Sequence, residues 1–341
     1  MTTTQTSVVH DLGTLAHRLS HPARTPCVCE PPQVLADRPD GTVVRSGAIV
    51  AKAHAADTDR EALTARIALA AAPQLAGILL PPLTAPEPAA PTARPVTLWP
   101  LGAPVDPTDP GAAPWAEAAD LLARLHRTEP PFPLPPMRGP AKAARAVARM
   151  RAALREDAIT PPRDPAVEPG DATAPPRDPA ALSVLAGWRA LPAWARGEAP
   201  APAPRADALC HGDLHLGQLV RHPAPDGPWL LIDMDDAGVG DPAWDLGRPA
   251  AWYAAGLLAP EDWSTFLDAY RAAGGPAVPA DGDPWPALDV PARALTVQTA
   301  AVALAKCAAE QRDPDDHEQL MIESCARIAT LPPELATGPA S

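Results

Sequence analysis

Lysine is almost missing from this chain. Only Lys52, Lys142 and Lys306 occur in 341 residues, against a combined Lys and Arg count of 28. A basic face is missing too. The net charge is −13, which argues against nucleic acid as a partner, because phosphate backbones demand positive charge. The acidic balance permits a cationic small-molecule partner, although solubility is the plainer account of it. Phe and Tyr number two each, while Pro reaches 49. That composition suits a GC-rich coding sequence and has no functional content. No window approaches 18 uninterrupted apolar residues, so no membrane span is expected. The first twenty residues lack a basic start followed by an apolar run, so no signal peptide is expected and the protein is placed in the cytoplasm. The five cysteines, Cys27, Cys29, Cys210, Cys307 and Cys325, are odd in number and scattered. Cys27-Val28-Cys29 lacks the two-residue gap and the second pair of a zinc site. The cysteines read as reduced thiols.

What is present divides into a strand-rich front and a helical back. Apolar residues at helical spacing predict a helix over 7–19. Three strands follow over 33–54, joined by an Asp40-Gly41 turn and a Ser46-Gly47 turn, as an antiparallel meander. A helix is expected over 57–72, capped by Asp57 or Thr58. Ile78-Leu79-Leu80 and Pro95–Trp99 read as two further strands. Beyond 101 the pattern turns helical, over 115–127, 142–155, 182–196, 243–257, 261–273, 291–309 and 315–331. Segments Leu209-Cys210 and Trp229–Ile232 interrupt it as strands. A proline-rich stretch at 156–181 carries Pro-Pro-Arg-Asp-Pro-Ala twice and reads as a loop. The expected architecture is α+β, with an N-terminal lobe over 1–100 and a helical C-terminal lobe over 101–341.

The chemistry concentrates in His211-Gly212-Asp213-Leu214-His215-Leu216-Gly217-Gln218-Leu219 and Leu231-Ile232-Asp233. Asp213 stands on a turn, where it can orient a hydroxyl or accept its proton. Gln218 offers an amide oxygen and Asp233 a carboxylate. Mg²⁺ takes few protein ligands and fills its shell with phosphate oxygens and water, so one of each suffices. An isolated His-Gly-Asp is more often a turn. The three residues in this order point to phosphoryl transfer.

These segments, together with Gly238-Val239-Gly240-Asp241-Pro242-Ala243-Trp244-Asp245-Leu246, resemble the aminoglycoside phosphotransferase family. The resemblance is strong over 209–253 and holds in layout elsewhere. It implies the two-lobed protein-kinase-like fold. It implies Asp213 as the catalytic base, Asp233 and Gln218 as Mg²⁺ ligands, and Asp245 as a brace for the catalytic loop. Gln218 stands where most members have Asn. His-Leu-Gly-Gln is also similar to the catalytic loop of maltokinase-type sugar kinases.

A kinase-like site needs a strand lysine for the α/β-phosphates and a helix glutamate to hold it. Lys52 at the end of Ile49-Val50-Ala51-Lys52, with Glu61 nine residues on, fits that demand. Leu98, Trp99 and Leu101 fall where adenine would meet the hinge, and Pro100 has no N–H to offer. ATP is the expected phosphoryl donor, with GTP left open. The expected activity is Mg²⁺-dependent O-phosphorylation of a small hydroxylated molecule, an aminoglycoside or amino sugar first, another sugar or alcohol as the alternative. Asp235, Asp236, Glu261, Asp262 and Asp268 are the candidate carboxylates for a cationic acceptor. Trp252 or Trp263 could instead serve a neutral sugar as a platform. A nucleotide-binding pseudokinase is the remaining reading. His215 reads as a loop brace.

Overall fold

The computed structural model describes residues 3–21, 30–38, 40–84, 94–158, 178–201 and 207–332. In chain order, α1 (Thr3–Ser20) precedes β1 (Gln33–Arg38), β2 (Gly41–Ser46) and β3 (Ile49–His54). Next come α2 (Arg60–Ala70), β4 (Val96–Pro100), β5 (Ala103–Pro104), α3 (Trp115–Arg127), α4 (Gly139–Ala158) and α5 (Pro179–Ala190). Then come β6 (Ala208–Cys210), β7 (Leu219–Arg221), β8 (Trp229–Leu231) and β9 (Gly238–Gly240). Four helices close the described chain: α6 (Ala243–Ala255), α7 (Pro260–Ala272), α8 (Trp285–Glu310) and α9 (Asp316–Ile328).

The chain forms two compact units. The first takes in Met1–Leu121, Thr128–Pro135 and Leu216–Asp235. Its main sheet runs β1-β2-β3-β4, all antiparallel. Alternation puts Val44, Ala51, Ala53 and Leu98 on one face, and α1 covers that face with Val8, Leu12, Leu15 and Ala16. Each fully buried leucine there contributes roughly 2 kcal/mol. A second small sheet, β5-β7-β8, also belongs to this unit.

The second unit takes in Leu122–Arg127, Pro136–His215 and Asp236–Ser341. It is a helical body around α8, whose buried residues run almost all round the helix. Gly247 lets α6 approach α8 closely: a Cβ there would meet Pro291 Cβ at 3.1 Å. The short β6–β9 pair lies in this unit and pairs Cys210 with Gly238.

Several elements differ from the sequence reading. Ile78-Leu79-Leu80 is not a strand of the meander. Leu79 makes an isolated bridge to Leu231, and the Leu80 N–H donates to Leu231 O at 2.9 Å. Pro81 and Pro82 follow, and without N–H groups they cannot extend a ladder. The cap of α2 is Asp59, not Asp57 or Thr58; its carboxylate accepts from the N–H groups of Glu61 and Ala62. The sequence reading starts α8 at 291. The helix instead begins at Trp285 and carries Pro291 inside it. Cys27, Cys29 and most of the proline-rich stretch, 159–177, lie outside the described residues. Cys210, Cys307 and Cys325 are buried free thiols. No helix among the described residues is long and apolar enough to cross a membrane.

Candidate active site

The Asp213 loop leaves β6 and is fixed by Asp245 of α6. The backbone N–H groups of His211 and Gly212 donate to the two Asp245 carboxylate oxygens at 2.6 and 2.7 Å. Gly212 has φ 84°, in the left-handed region, and a side chain there would strike the backbone of Asp236. Glycine is required on both counts. Asp245 is 1% exposed. Burial pushes its carboxyl up, and the hydrogen bond and charge of His126 together with the His211 contacts outweigh this and hold it below the usual range. His126 Nε2 lies 3.0 Å from Asp245 and its Nδ1 lies 2.7 Å from the Tyr270 hydroxyl. The Ala277 N–H donates to that hydroxyl. A carboxylate accepts only, so Nε2 carries the proton and Nδ1 accepts from Tyr270. The network is then satisfied from end to end. His126, Cys210 and Asp245 lie close enough together to hold an ion, yet both ring nitrogens and both carboxylate oxygens already have partners. A hydrogen-bonded brace explains the cluster.

Asp213 itself is caught between two cations of the same unit. Lys142 Nζ of α4 stands 2.5 Å from Oδ2, and Arg248 of α6 donates to Oδ1 at 2.6 Å. Burial pushes the carboxyl up, and Lys142 and Arg248 together outweigh it and bring it down to about 2. Lys142 also meets Asp236 at 2.7 Å. His215 shares this environment. Burial, and next the Arg248 charge, push its imidazole down to about 4, so it is neutral at pH 7.

In the first unit, Lys52 of β3 meets Asp233 at 2.6 Å and Asp235 at 2.9 Å. Burial pulls its ammonium down, and the attraction of the two aspartates outweighs that and raises it. Burial acts on Asp235 in the opposite sense and is overcome by His54 and Lys52. His54 Nδ1 lies 3.1 Å from Asp235, and its Nε2 lies 2.9 Å from the Thr97 hydroxyl, which accepts from Trp99 Nε1 at 3.0 Å. Gln218 donates to Asp233 Oδ2 at 3.4 Å, so the longer arm of Gln still reaches the carboxylate. Asp233 has φ 62°. A non-glycine residue held there stores strain, and such strain collects at functional sites.

The structure thus brings Lys52, Gln218 and Asp233 together. It does not bring Glu61 to Lys52. Glu61 is exposed in the first turn of α2, and the lysine takes Asp233 and Asp235 instead. The reason is local: Asp59 caps α2 and fixes Glu61 at a solvent-facing position. Leu98 and Trp99 sit in β4 opposite Ala51 and Val50. The Leu101 N–H is taken by Ala48 O at 2.8 Å, and the Leu98 carbonyl by the Leu83 N–H at 2.8 Å. Leu101 therefore has no free N–H for a base. Asp213 is placed in the second unit with partners the sequence reading does not name. Lys142, Arg248, His126 and His54 all escape it. A signal for Lys142 was present: the rarity of lysine that marks Lys52 applies to it equally.

Comparison with known proteins places the chain. Its sequence matches the phosphotransferase enzyme family (APH) over residues 34–289. No curated protein sequence matches it significantly. Among solved structures, a choline kinase from Cryptosporidium parvum Iowa II superposes with a TM-score of 0.54 at 10% identity, covering 90% of each chain. A thermostable mutant of the aminoglycoside phosphotransferase APH(4)-Ia gives 0.51 at 12% identity, covering 88% of this chain and 94% of that one. At such identities the likeness concerns fold. The chain belongs to the phosphotransferase enzyme family. It is a small-molecule kinase with the α+β, protein-kinase-like fold.

Proposed function

We propose that this kinase transfers the γ-phosphate of ATP to a hydroxyl of a neutral sugar or polyol, with Asp213 orienting the acceptor. Asp213 carries the reading: it is ionised, held at both oxygens and flanked by positive charge. The acceptor oxygen attacks the γ-phosphorus, an O–P bond forms, and the β–γ bridging bond breaks with its electron pair leaving on ADP. A carboxyl titrating at about 2 is protonated in only about one molecule in 10⁵ at pH 7. Asp213 therefore aligns the hydroxyl by accepting its hydrogen bond. The proton departs late, to the phosphoryl oxygens and then to water. Most of the acceleration comes from alignment and charge neutralisation.

The donor set of Asp233 and Gln218, one carboxylate and one amide oxygen, suits a hard divalent cation such as Mg²⁺. When bound, that ion would neutralise phosphate charge. Lys52 would orient the α/β-phosphates, with Asp233 and Asp235 as its partners in place of Glu61. His54 would hold Asp235. Trp99 would line the adenine end with its side chain, whereas Leu98 is buried beneath α1 and its carbonyl is taken by Leu83.

A polycationic acceptor is disfavoured by the same geometry. Asp235 is occupied by Lys52 and His54, and Asp236 by Lys142. Glu261 and Asp268 are exposed on α7, where Asp268 accepts from Ser264. Lys142 and Arg248 would repel an ammonium approaching Asp213. The test is ADP formation with MgATP against neutral sugars, polyols, amino alcohols and aminoglycosides. A neutral acceptor should stimulate turnover at least tenfold over water. Stimulation by aminoglycosides alone would refute the acceptor class.

A further inference from the structure

Lys142 has no part in the family resemblance, yet it stands at the centre of the transfer site. It rises from the first turn of α4, where the Lys142 N–H donates to Arg138 O at 2.7 Å. Arg138 in turn docks by its own N–H on Asp236 O at 3.1 Å. The start of α4 is thus tied to the residue that ends the Asp233-Met234-Asp235-Asp236 turn. From there the Lys142 ammonium reaches both Asp236 and Asp213. Arg248 occupies the other Asp213 oxygen. With both oxygens fixed from two helices, the carboxylate plane cannot turn. The buried Arg248 Nε–H has no hydrogen-bond partner, so the guanidinium keeps donor capacity for an oxyanion beside Asp213. Lys52 grips Asp233 and Asp235 of the same tetrapeptide.

We propose that Lys142 is the positioning residue of the transfer site: it fixes the direction of the Asp213 carboxylate and ties it to Asp236 at the end of the Asp233 turn. This rests on the phosphotransferase reading above. The physical need is plain. A hydroxyl aligned for in-line attack tolerates little error, and a misplacement of about 1 Å costs roughly 10²-fold in rate. A free aspartate on a loop rotates about its side-chain bonds. One pinned at both oxygens does not. The groups facing Asp213 are Lys142 from α4, Arg248 from α6, and His215 and His211 from its own loop. Of these, Lys142 makes the largest charge contribution that holds the carboxyl low.

The experiment uses MgATP hydrolysis with water as acceptor, so it needs no identified substrate. Wild type, Lys142→Met, Lys142→Arg and Lys306→Met are compared from pH 4.5 to 9, with ATP affinity measured by calorimetry. Lys306 is exposed on α8 and serves as the control. Lys142→Met is expected to lower kcat by roughly 30- to 100-fold with ATP affinity within twofold of wild type. Its acid limb moves to higher pH, because Asp213 has lost a cation. Lys142→Arg recovers at least a third of the wild-type rate. Unchanged kcat in Lys142→Met, or an equal loss in Lys142→Arg, overturns the proposal. Should Lys142→Met fail to fold, Arg248→Gln frees the other oxygen from a different helix and carries the same expectation for kcat and pH. A wild type that binds ATP and transfers its γ-phosphate neither to water nor to any acceptor of the panel above overturns the phosphotransferase reading and this proposal together. A wild type that turns over beside an unaffected Lys142→Met overturns this proposal alone.

Discussion

At the scale of single residues, the site is made by charges compensating one another in partly buried surroundings. Asp213 and His215 show this two residues apart. Lys142 and Arg248 hold Asp213 ionised, while burial and then the same Arg248 charge keep His215 neutral. The consequence for pH is calculable. The imidazole titrates at about 4 in the folded chain, against an ordinary 6.5. As pH falls from 6.5 towards 4, the unfolded chain takes up a proton that the folded chain refuses. Stability is then lost, by at most about 3 kcal/mol. Asp213 adds a separate loss as pH falls from 3.8 towards about 2, because its folded-state carboxyl is depressed. His215→Gln should flatten the urea-denaturation midpoint between pH 6.5 and 4. An unchanged slope would contradict a buried neutral imidazole. The sequence singles out Asp213, Gln218, Asp233 and Lys52, because each sits in a local pattern with its own chemistry, and the structure brings the last three together. Their partners were not legible. Lys52 and Asp233 stand 181 residues apart, and nothing in a local window says that a strand lysine will take two aspartates and leave Glu61 in solvent.

At the scale of elements, the turns matter more than the helices. The loop between β6 and Asp213 depends on Gly212, which combines φ 84° with close approach to the Asp236 backbone. Gly212→Ala must strain the backbone and displace Asp236, at a cost of about 2 kcal/mol or more. It should also lower kcat, because the displaced carbonyl is the one that docks Arg138. Denaturation and turnover measured on the same sample check both effects. A variant with wild-type stability and rate would show that the turn is not tight. Helices were legible wherever their apolar face was periodic, as in α3, α6, α7 and α9. The start of α8 was not, since Pro286 and Pro291 resemble boundaries until burial on every side of the helix outweighs them. Ile78–Leu80 misled for the opposite reason. Three apolar residues suggest a strand, but the prolines after them leave only a bridge to Leu231.

At the scale of the whole molecule, the two units divide the chemistry. Residues 216–235 belong to the first unit although they follow the Asp213 loop in sequence, and the division falls between Asp235 and Asp236. The fold class was legible early, because a strand-rich front and a helical back with a local phosphotransfer motif leave few architectures. Acceptor class was not, because it depends on which carboxylates are free, and pairing in three dimensions decides that. The central claim is phosphoryl transfer to a small neutral hydroxyl aligned by Asp213. Its most direct test is a single-turnover measurement with γ-labelled ATP and the best neutral acceptor, comparing wild type with Asp213→Asn. The account predicts label on the acceptor, a loss of about 10²-fold or more in the variant, and unchanged ATP affinity. Label transferred by Asp213→Asn at a rate within twofold of wild type would contradict it.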